Sequence, residues 1–371
     1  MIRFPVLLLS ASAIVFGASI AAHADLSPLR PETKGAAQPA EAEAGGAMSA
    51  AVAAYNAADF EKARRLAAPL AEGGNVNAQL MMGAIYNNGQ GVDRDPKQAE
   101  RWFGMAAAQG NASAHYALGL LEMGGIDGKV DLARARTEFD AAARGGLALA
   151  QTELGLMKLS GTGGPQDLAG AAALFREAGK NGDPAGHYNL GVLYATGKGV
   201  TKDLAMAAAN FQAASDKGHP EASYQYGLML QDGVGVPQKD KTEAVQRFGA
   251  AAKRGLPKAQ TALAFAYYSG EGIAKDETKA AQWFTEAAIR GNALAQDRLA
   301  RLYFLGQGVK RDLVSALLWL TLAERNGQKD ETLRAAMAPD ITPEIKAQVK
   351  EQIDKLDKNM KAARDAVVPS R

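Results

Sequence analysis

Small and apolar residues recur along this chain at a fixed spacing. Glycine or alanine stands at Gly83, Gly119, Gly155, Gly191, Gly227, Ala264 and Ala300, in steps of 36, 36, 36, 36, 37 and 36 residues. Three further series keep the same register. They are Ala99, Ala135, Ala171, Ala207, Ala244, Ala280 and Ala316; Phe103, Phe139, Phe175, Phe211, Phe248, Phe284 and Leu320; and Gly110, Gly146, Gly182, Gly218, Gly255, Gly291 and Gly327. Four series locked to one period define an array of repeated supersecondary units. Each unit reads as two helices. The first is typified by residues 77–86, with small residues at Ala78 and Gly83 where another backbone must come close. The second buries its Ala and Phe positions and ends at the glycine of the last series.

The punctuation between the helices supports that reading. A Gly-x-Gly turn follows the first helix at Gly89/Gly91, Gly161/Gly163, Gly197/Gly199, Gly233/Gly235, Gly270/Gly272 and Gly306/Gly308. Glycine tolerates the left-handed conformation that ends a helix. An apolar residue follows in most units (Val92, Val200, Val236, Ile273, Val309), placed to tuck under the turn. Asp95, Asp131, Asp167, Asp203, Asp240, Asp276 and Asp312 then precede the second helix, where a carboxylate caps free amide groups and suits the positive helix end. Pro96 at the first helical position agrees. A shortened unit lies upstream, with Asp59, Ala63 and Gly74 in register but no Gly-x-Gly turn. The unit at 111–146 carries Gly124-Gly-Ile-Asp-Gly128 instead of a regular turn, which predicts a displaced loop.

The register ends after Gly327. Residues 329–337 read as helical, and Thr342-Pro343-Glu344 opens a long amphipathic helix with Ile345, Val349, Ile353 and Leu356 on one face. An array needs a polar cap over its last apolar face, and this helix is suited to that role. A coiled-coil dimer is the alternative, but it would need more sustained heptads.

The N-terminus differs from the rest. Residues 1–24 carry Arg3, an apolar run from Phe4 to about Ala22, and a closing Ala22-His23-Ala24, the pattern of a cleaved secretory signal. An uncleaved membrane anchor is the alternative reading, but Ser10, Ser12, Gly17 and Ser19 break an already short run. Residues 25–46, rich in Pro, Ala, Glu and Gly, predict a flexible linker. Export places the mature chain in the bacterial periplasm, with secretion beyond it open. No later stretch predicts a transmembrane segment.

Composition narrows the chemistry. The 371 residues include no Cys and only 4 His, so thiol catalysis, disulfides and Cys-ligated zinc are excluded and little remains for a metal site. With 42 Lys+Arg against 40 Asp+Glu, the chain lacks the basic field of a nucleic-acid binder. Ala195-Thr-Gly-Lys-Gly199 does not have phosphate-loop spacing and belongs to a turn that recurs. No Gly-x-Ser-x-Gly elbow or His-Glu-x-x-His helix is present. His115 and His187, two units apart, should lie about 20 Å or more from each other and share no metal. No catalytic residue, cofactor or metal site is predicted.

The unit pattern A-x-x-x-L-G-x-x-Y-x-x-G-x-G-V-x-x-D-x-x-x-A-x-x-W-F-x-x-A-A-x-x-G, followed closely at 78–110 and 295–327, resembles the Sel1-like repeat, a relative of the tetratricopeptide repeat. The resemblance implies an all-α fold: a right-handed α-solenoid of helix-turn-helix repeats, one shortened plus seven full, over 47–327. A C-terminal helical cap and tail would occupy 328–371. It also implies a concave wall lined by the first helices, at offsets −3, −2, +1, +4 and +5 from the Gly/Ala series, that binds a peptide or protein partner. The expected partner-binding residues are Asn87, Tyr116, Tyr188, Asn189, Tyr224, Gln225, Tyr268 and Phe304. Tyrosine beside carboxamides suits an extended peptide, giving apolar area with hydrogen bonds. The competing reading is that these rings pack between helices, as expected for Tyr86, Tyr194, Tyr267 and Tyr303 at offset +3. Resemblance extends to exported regulators that restrain membrane sensor kinases, so a sensor kinase or another envelope complex is the expected partner. It extends also to β-lactamase-like members, which are cysteine-rich. This chain has neither Cys nor Ser-x-x-Lys, so that activity is not carried over, and a β-lactamase-like or envelope hydrolase is the alternative on the resemblance alone.

Overall fold

The computed structural model describes residues 39–367, with side chains placed over 46–359. The expected signal peptide at 1–24 and residues 25–38 of the expected linker lie outside the described residues. Residues 39–46, read as linker, instead form the start of a helix; their Ala and Glu content favours helix once the following turns are packed.

Among the described residues there are eighteen α-helices and no β-strand. They fall into two compact units, divided between Lys202 and Asp203. The first holds α1 (Pro39–Asn56), α2 (Phe60–Glu72), α3 (Val76–Asn88), α4 (Pro96–Ala107), α5 (Ala112–Gly124), α6 (Leu132–Arg144), α7 (Ala148–Ser160), α8 (Leu168–Lys180) and α9 (Pro184–Thr196). The second holds α10 (Leu204–Asp216), α11 (Pro220–Asp232), α12 (Lys241–Lys253), α13 (Pro257–Ser269), α14 (Glu277–Ile289), α15 (Ala293–Leu305), α16 (Leu313–Arg325), α17 (Glu331–Met337) and α18 (Pro343–Val367). Within each unit the helices pack on their successors in sequence, α1 to α9 and α10 to α16, and α18 packs back on α16, the all-α arrangement of a helical-repeat solenoid.

The length of each helix follows from its ends. Every second helix from α2 to α16 begins at the predicted aspartate: Asp59, Asp95, Asp131, Asp167, Asp203, Asp240, Asp276 and Asp312 each accept a bond from a backbone amide two or three residues on. The first helices carry a second set of caps that the sequence reading missed. Asn75, Asn111, Asp183, His219 and Asn292 accept such bonds, while Leu147 and Leu256 hold the same extended backbone without one. Left-handed glycines close the first helices at the predicted turns, as at Gly161 with φ 78°.

The two small-residue series have distinct packing reasons. A Cβ added at Gly83, Gly119, Gly155 or Gly227 would lie 2.4–2.6 Å from the ring of Phe103, Phe139, Phe175 or Phe248 in the same repeat. Those phenylalanines are buried, so one series exists to admit the other. In the 111–146 unit the altered turn closes through reciprocal Ile126–Lys129 backbone bonds of 3.0 Å. Its end is not displaced: the Asp131 amide donates to the Glu122 carbonyl at 3.1 Å, as Asp95 does to Tyr86 at 2.9 Å.

The last repeat is capped. Val349 and Ile353 of α18 are buried against Leu317 and Leu320 of α16 and Leu333 and Met337 of α17, with Ile345 half-buried beside them. Leu356, expected on the same face, is instead 42% exposed. By that point Asp357 pairs with Arg325 in the last turn of α16, so the cap helix has run past its support.

Candidate partner-binding surface

The side chains expected to line a binding wall divide by column. Three residues before the Gly/Ala series, Leu80, Tyr116, Thr152, Thr261 and Asp297 are all buried. Tyr116 is 5% exposed, with its ring 5.5 Å from that of Phe139. Burial, helped by Glu153 and Asp183, pushes its hydroxyl well above the usual tyrosine range. It is a core residue and is corrected as a partner contact. Tyr224 is half-buried, 5.9 Å from Phe248 and tilted against it, and burial raises its hydroxyl too. The physical reason is periodic. A residue three positions before the series glycine shares its helix face, so it meets the same phenylalanine that the glycine admits.

Tyr188 and Asn189 belong to the first unit, Tyr224 and Gln225 to the second. Tyr188 and Gln225 are half-buried, and the Asn189 amide donates to the Ala185 carbonyl at 2.9 Å, bonding its own helix. Asn87 is half-buried, donates to the side chain of Asn88 at 3.1 Å, and accepts at its carbonyl from Arg94 Nε at 2.9 Å.

The column four residues after the series is different. Tyr268 and Phe304 stand in adjacent repeats of the second unit, each half-buried. The Tyr268 hydroxyl donates to Gln307 Oε1 at 3.1 Å, and Lys275 Nζ lies 5.9 Å from the Tyr268 ring centroid. Arg311 lies 5.6 Å from the Phe304 ring, donates from Nε to the Phe304 carbonyl at 3.0 Å, and reaches Asp340 at 2.6 Å. Leu305, beside them, is 51% exposed. Two aromatic rings with cations over them and a carboxamide between repeats can grip an extended chain. Gln307, Lys275 and Arg311 were not read from the sequence. The available signal was the middle residue of the Gly-x-Gly turn: Gln90 holds that position too, and Tyr55 donates to it at 2.8 Å.

A second recurrence also escaped the sequence reading. Gln79, Gln151, Gln260 and Gln296, four residues before the series, are buried and donate from Nε2 to the carbonyls of Ala71, Ala143, Ala252 and Ala288 at 3.0, 3.3, 3.2 and 3.0 Å. Each ties the start of a first helix to the end of the helix before it. His115 occupies this column and contacts Glu138 at 2.7 Å, so it is part of the side-chain packing between α5 and α6.

Perturbed carboxylates sit beside arginines. Burial raises Glu122 against the pull of Arg134, which contacts it at 2.8 Å. Asp297 is 1% exposed and is raised by burial against Arg298, with Asp330 adding to the rise. Neither has a neighbouring nucleophile in an open cleft, and both read as structural ion pairs. Among the described residues no group of three or more His, Asp or Glu could hold a metal ion, and no helix is long and apolar enough to cross a membrane.

The Sel1 repeat family model matches residues 76–111, 112–146, 148–183, 184–219, 220–256, 257–292 and 293–328. No curated protein matches the chain. Among solved structures, a Sel1 repeat protein from Oxalobacter formigenes is similar at 32% identity and a TM-score of 0.65, covering 81% of this chain and 88% of that one. A protective antigen present in uropathogenic Escherichia coli strains shares the fold at 21% identity and a TM-score of 0.51, covering 90% of this chain and 97% of that one.

Proposed function

Because this chain belongs to the Sel1 repeat family, whose members act as protein–protein interaction scaffolds, we propose that it is a non-catalytic periplasmic scaffold for a protein partner. The partner is held as an extended segment across the turn ends of the first helices, with Tyr268 and Phe304 as anchors. One observation carries the reading: two half-exposed rings in successive repeats, each with a cation over it, the Tyr268 hydroxyl bonded to Gln307 of the next repeat. Such rings offer apolar area that loses little conformational entropy on binding. Residues 1–24 support export, and a membrane sensor kinase or another envelope complex is the class of partner that fits.

Crosslinking in intact cells, followed by capture from the periplasmic fraction and mass spectrometry, tests this. The Tyr268→Ala/Phe304→Ala protein should keep its helical content and melting curve yet lose a partner that the wild type captures. Loss of two anchor rings is expected to weaken binding by about 2 kcal/mol or more. Equal recovery of the same proteins by both would defeat the assignment, and recovery of the chain from the cytoplasm alone would defeat the periplasmic one.

A further inference from the structure

The C-terminal cap does not fill the space beneath it. Between α16, α17 and α18 of the second unit lies a cavity of about 540 Å³, within the range of small-molecule sites. Its buried lining is aliphatic: Leu317 and Leu320 of α16, Met337 of α17, and Val349 and Ile353 of α18. No aromatic ring lines it. Its exposed lining is Ala338 and charged side chains, Arg325 of α16 and Lys346, Lys350 and Asp354 of α18. The interior is therefore apolar and the mouth charged, which suits an occupant with an apolar body and a polar end.

The polar groups of the lining are not equally free. Arg325 pairs with Asp357 at 3.2 Å, and Arg334 Nε donates to Glu324 at 2.7 Å. Thr321, half-buried, donates its hydroxyl to the Leu317 carbonyl at 2.7 Å. Lys346 and Lys350 have no ion pair among the described residues. They stand one helical turn apart, on either side of Val349, so both ammonium groups can reach one anion at the mouth. Asp354, the acidic residue of the lining, stands a further turn on. From Lys346 to Asp354 the helix rises about 12 Å, which a zigzag of roughly ten carbon atoms covers at bonds of about 1.5 Å. The aliphatic interior decides between occupants. A peptide would bury backbone N–H and C=O groups that need partners there, whereas a hydrocarbon chain needs none.

We propose that this cavity binds a free single-chain anionic amphiphile of the medium-chain carboxylate class. The hydrocarbon tail lies against Leu317, Leu320, Val349 and Ile353, and the carboxylate is held by Lys346 and Lys350. The stems of the two lysines extend the apolar lining while their charged ends stay in water. The site is separate from Tyr268 and Phe304 and does not depend on the scaffold reading.

The test is isothermal titration calorimetry of the protein with decanoate, octanoate and decyltrimethylammonium. Decanoate should bind about 15-fold more tightly than octanoate, a factor of about four for each of two methylenes. The cationic analogue should not bind. Lys346→Gln/Lys350→Gln alters only exposed side chains, so it should keep the wild-type melting curve. It should weaken decanoate by about tenfold, as two exposed ion pairs are lost, and leave the ratio between the two chain lengths unchanged. Decanoate should also slow hydrogen exchange in α17 and α18. No binding of decanoate up to about 1 mM, equal affinity for both chain lengths, or equal binding of decyltrimethylammonium would each overturn the proposal. So would unchanged decanoate affinity in the lysine variant, or slowed exchange only outside α16 to α18. Sedimentation with phosphatidylglycerol vesicles by a protein that does not bind free decanoate would overturn it in favour of a membrane surface. Tyr268→Ala/Phe304→Ala should leave decanoate binding unchanged, so failure here and failure of the scaffold anchors are told apart.

Discussion

Two equivalent contacts in this array differ by one functional group, and that difference has a pH signature. Thr152 donates its hydroxyl to Asp183 at 2.5 Å, where Asp183 caps α9. At the end of the array Asp297 takes the threonine's place and Asp330, the cap of α17, takes the aspartate's. A hydroxyl donates at any pH, whereas a carboxyl must hold a proton to do so. Burial raises Asp297, and the charge of Asp330 raises it further against Arg298 and Arg301. For Asp330, burial alone would do the same, but the Leu333 amide and Arg301 outweigh it and hold that carboxyl low. A carboxyl raised in the folded state gives stability that is present below its unfolded pKa and lost as pH rises through its folded value. Asp297→Asn keeps a donor and removes the ionisation. The variant should therefore melt above the wild type at pH 7, with the gap closing as pH falls toward about 4. Melting curves at both pH values check this, and a gap that is the same at both would refute it. Asp330 opposes the trend only at lower pH, because its contribution is lost on acidification in both proteins. The residue column explains why the proposed binding surface is only half legible in the sequence. The offsets from the glycine series name the helix face, but they do not say that the −3 position meets the phenylalanine. Tyr116 was therefore read as surface, while Tyr268 and Phe304 at +4 kept the exposure expected of them.

At the scale of the element, the fold was legible because two series depend on each other. Gly119 has no side chain so that Phe139 can lie across α5; a Cβ there would be 2.6 Å from the ring. Gly119→Ala should destabilise the protein by about 1–3 kcal/mol, the usual cost of overpacking. Gly104 in α4 provides the opposite sign. A Cβ there meets nothing within 4 Å, so Gly104→Ala should stabilise by about 0.5–1 kcal/mol through helix propensity. Urea titration of both variants checks the pair. Loss of stability in both, or in neither, would mean that the Gly–Phe contact does not set the helix spacing. The glutamine ties were not legible on the same logic. Their column reads Gln79, His115, Gln151, His187, Ser223, Gln260 and Gln296, so no single residue type marks the period. Ser223 shows why substitution is tolerated: its hydroxyl meets Ser215 at 2.9 Å, with Arg247 joining Ser215 at 3.1 Å, another way to bridge the same two helices. A polar contact between helices can be remade by several side chains, whereas the position under the phenyl ring is held to the smallest residues, glycine in five repeats and alanine at Ala264 facing Phe284.

Among the described residues, most helix packing within each compact unit is between helices adjacent in sequence, and that sets how the array behaves. In such an array stability is a sum of repeat and interface contributions, and the last repeat has no successor to cover it. Here α18 takes that place, closing over Leu317, Leu320, Leu333 and Met337, with Val349 and Ile353 its buried residues among the described side chains. Two residues make a thin seal, and the ion pair of Arg325 with Asp357 at its far edge joins exposed side chains that add little. The C-terminal end should accordingly open first. Val349→Asp would place a carboxylate at a position 4% exposed, at a cost of about 3–5 kcal/mol for an uncompensated buried charge. Hydrogen exchange read by mass spectrometry should then show α17 and α18 losing protection outright and α16 exchanging faster, while α3 to α8 keep the wild-type pattern. Faster exchange across α3 to α8 would mean that the array melts as one body, and unchanged exchange in α17 would mean that α18 is no cap. Local opening has a consequence for binding as well. Tyr268 lies on α13, one repeat before the capped one, and Phe304 on α15 of the capped repeat, and Arg311 beside Phe304 is tied to Asp340 in the segment leading into α18. The cap thus holds a cation over one of the two rings proposed as anchors, so on that proposal Val349→Asp should weaken partner capture through Phe304 even though it touches neither ring.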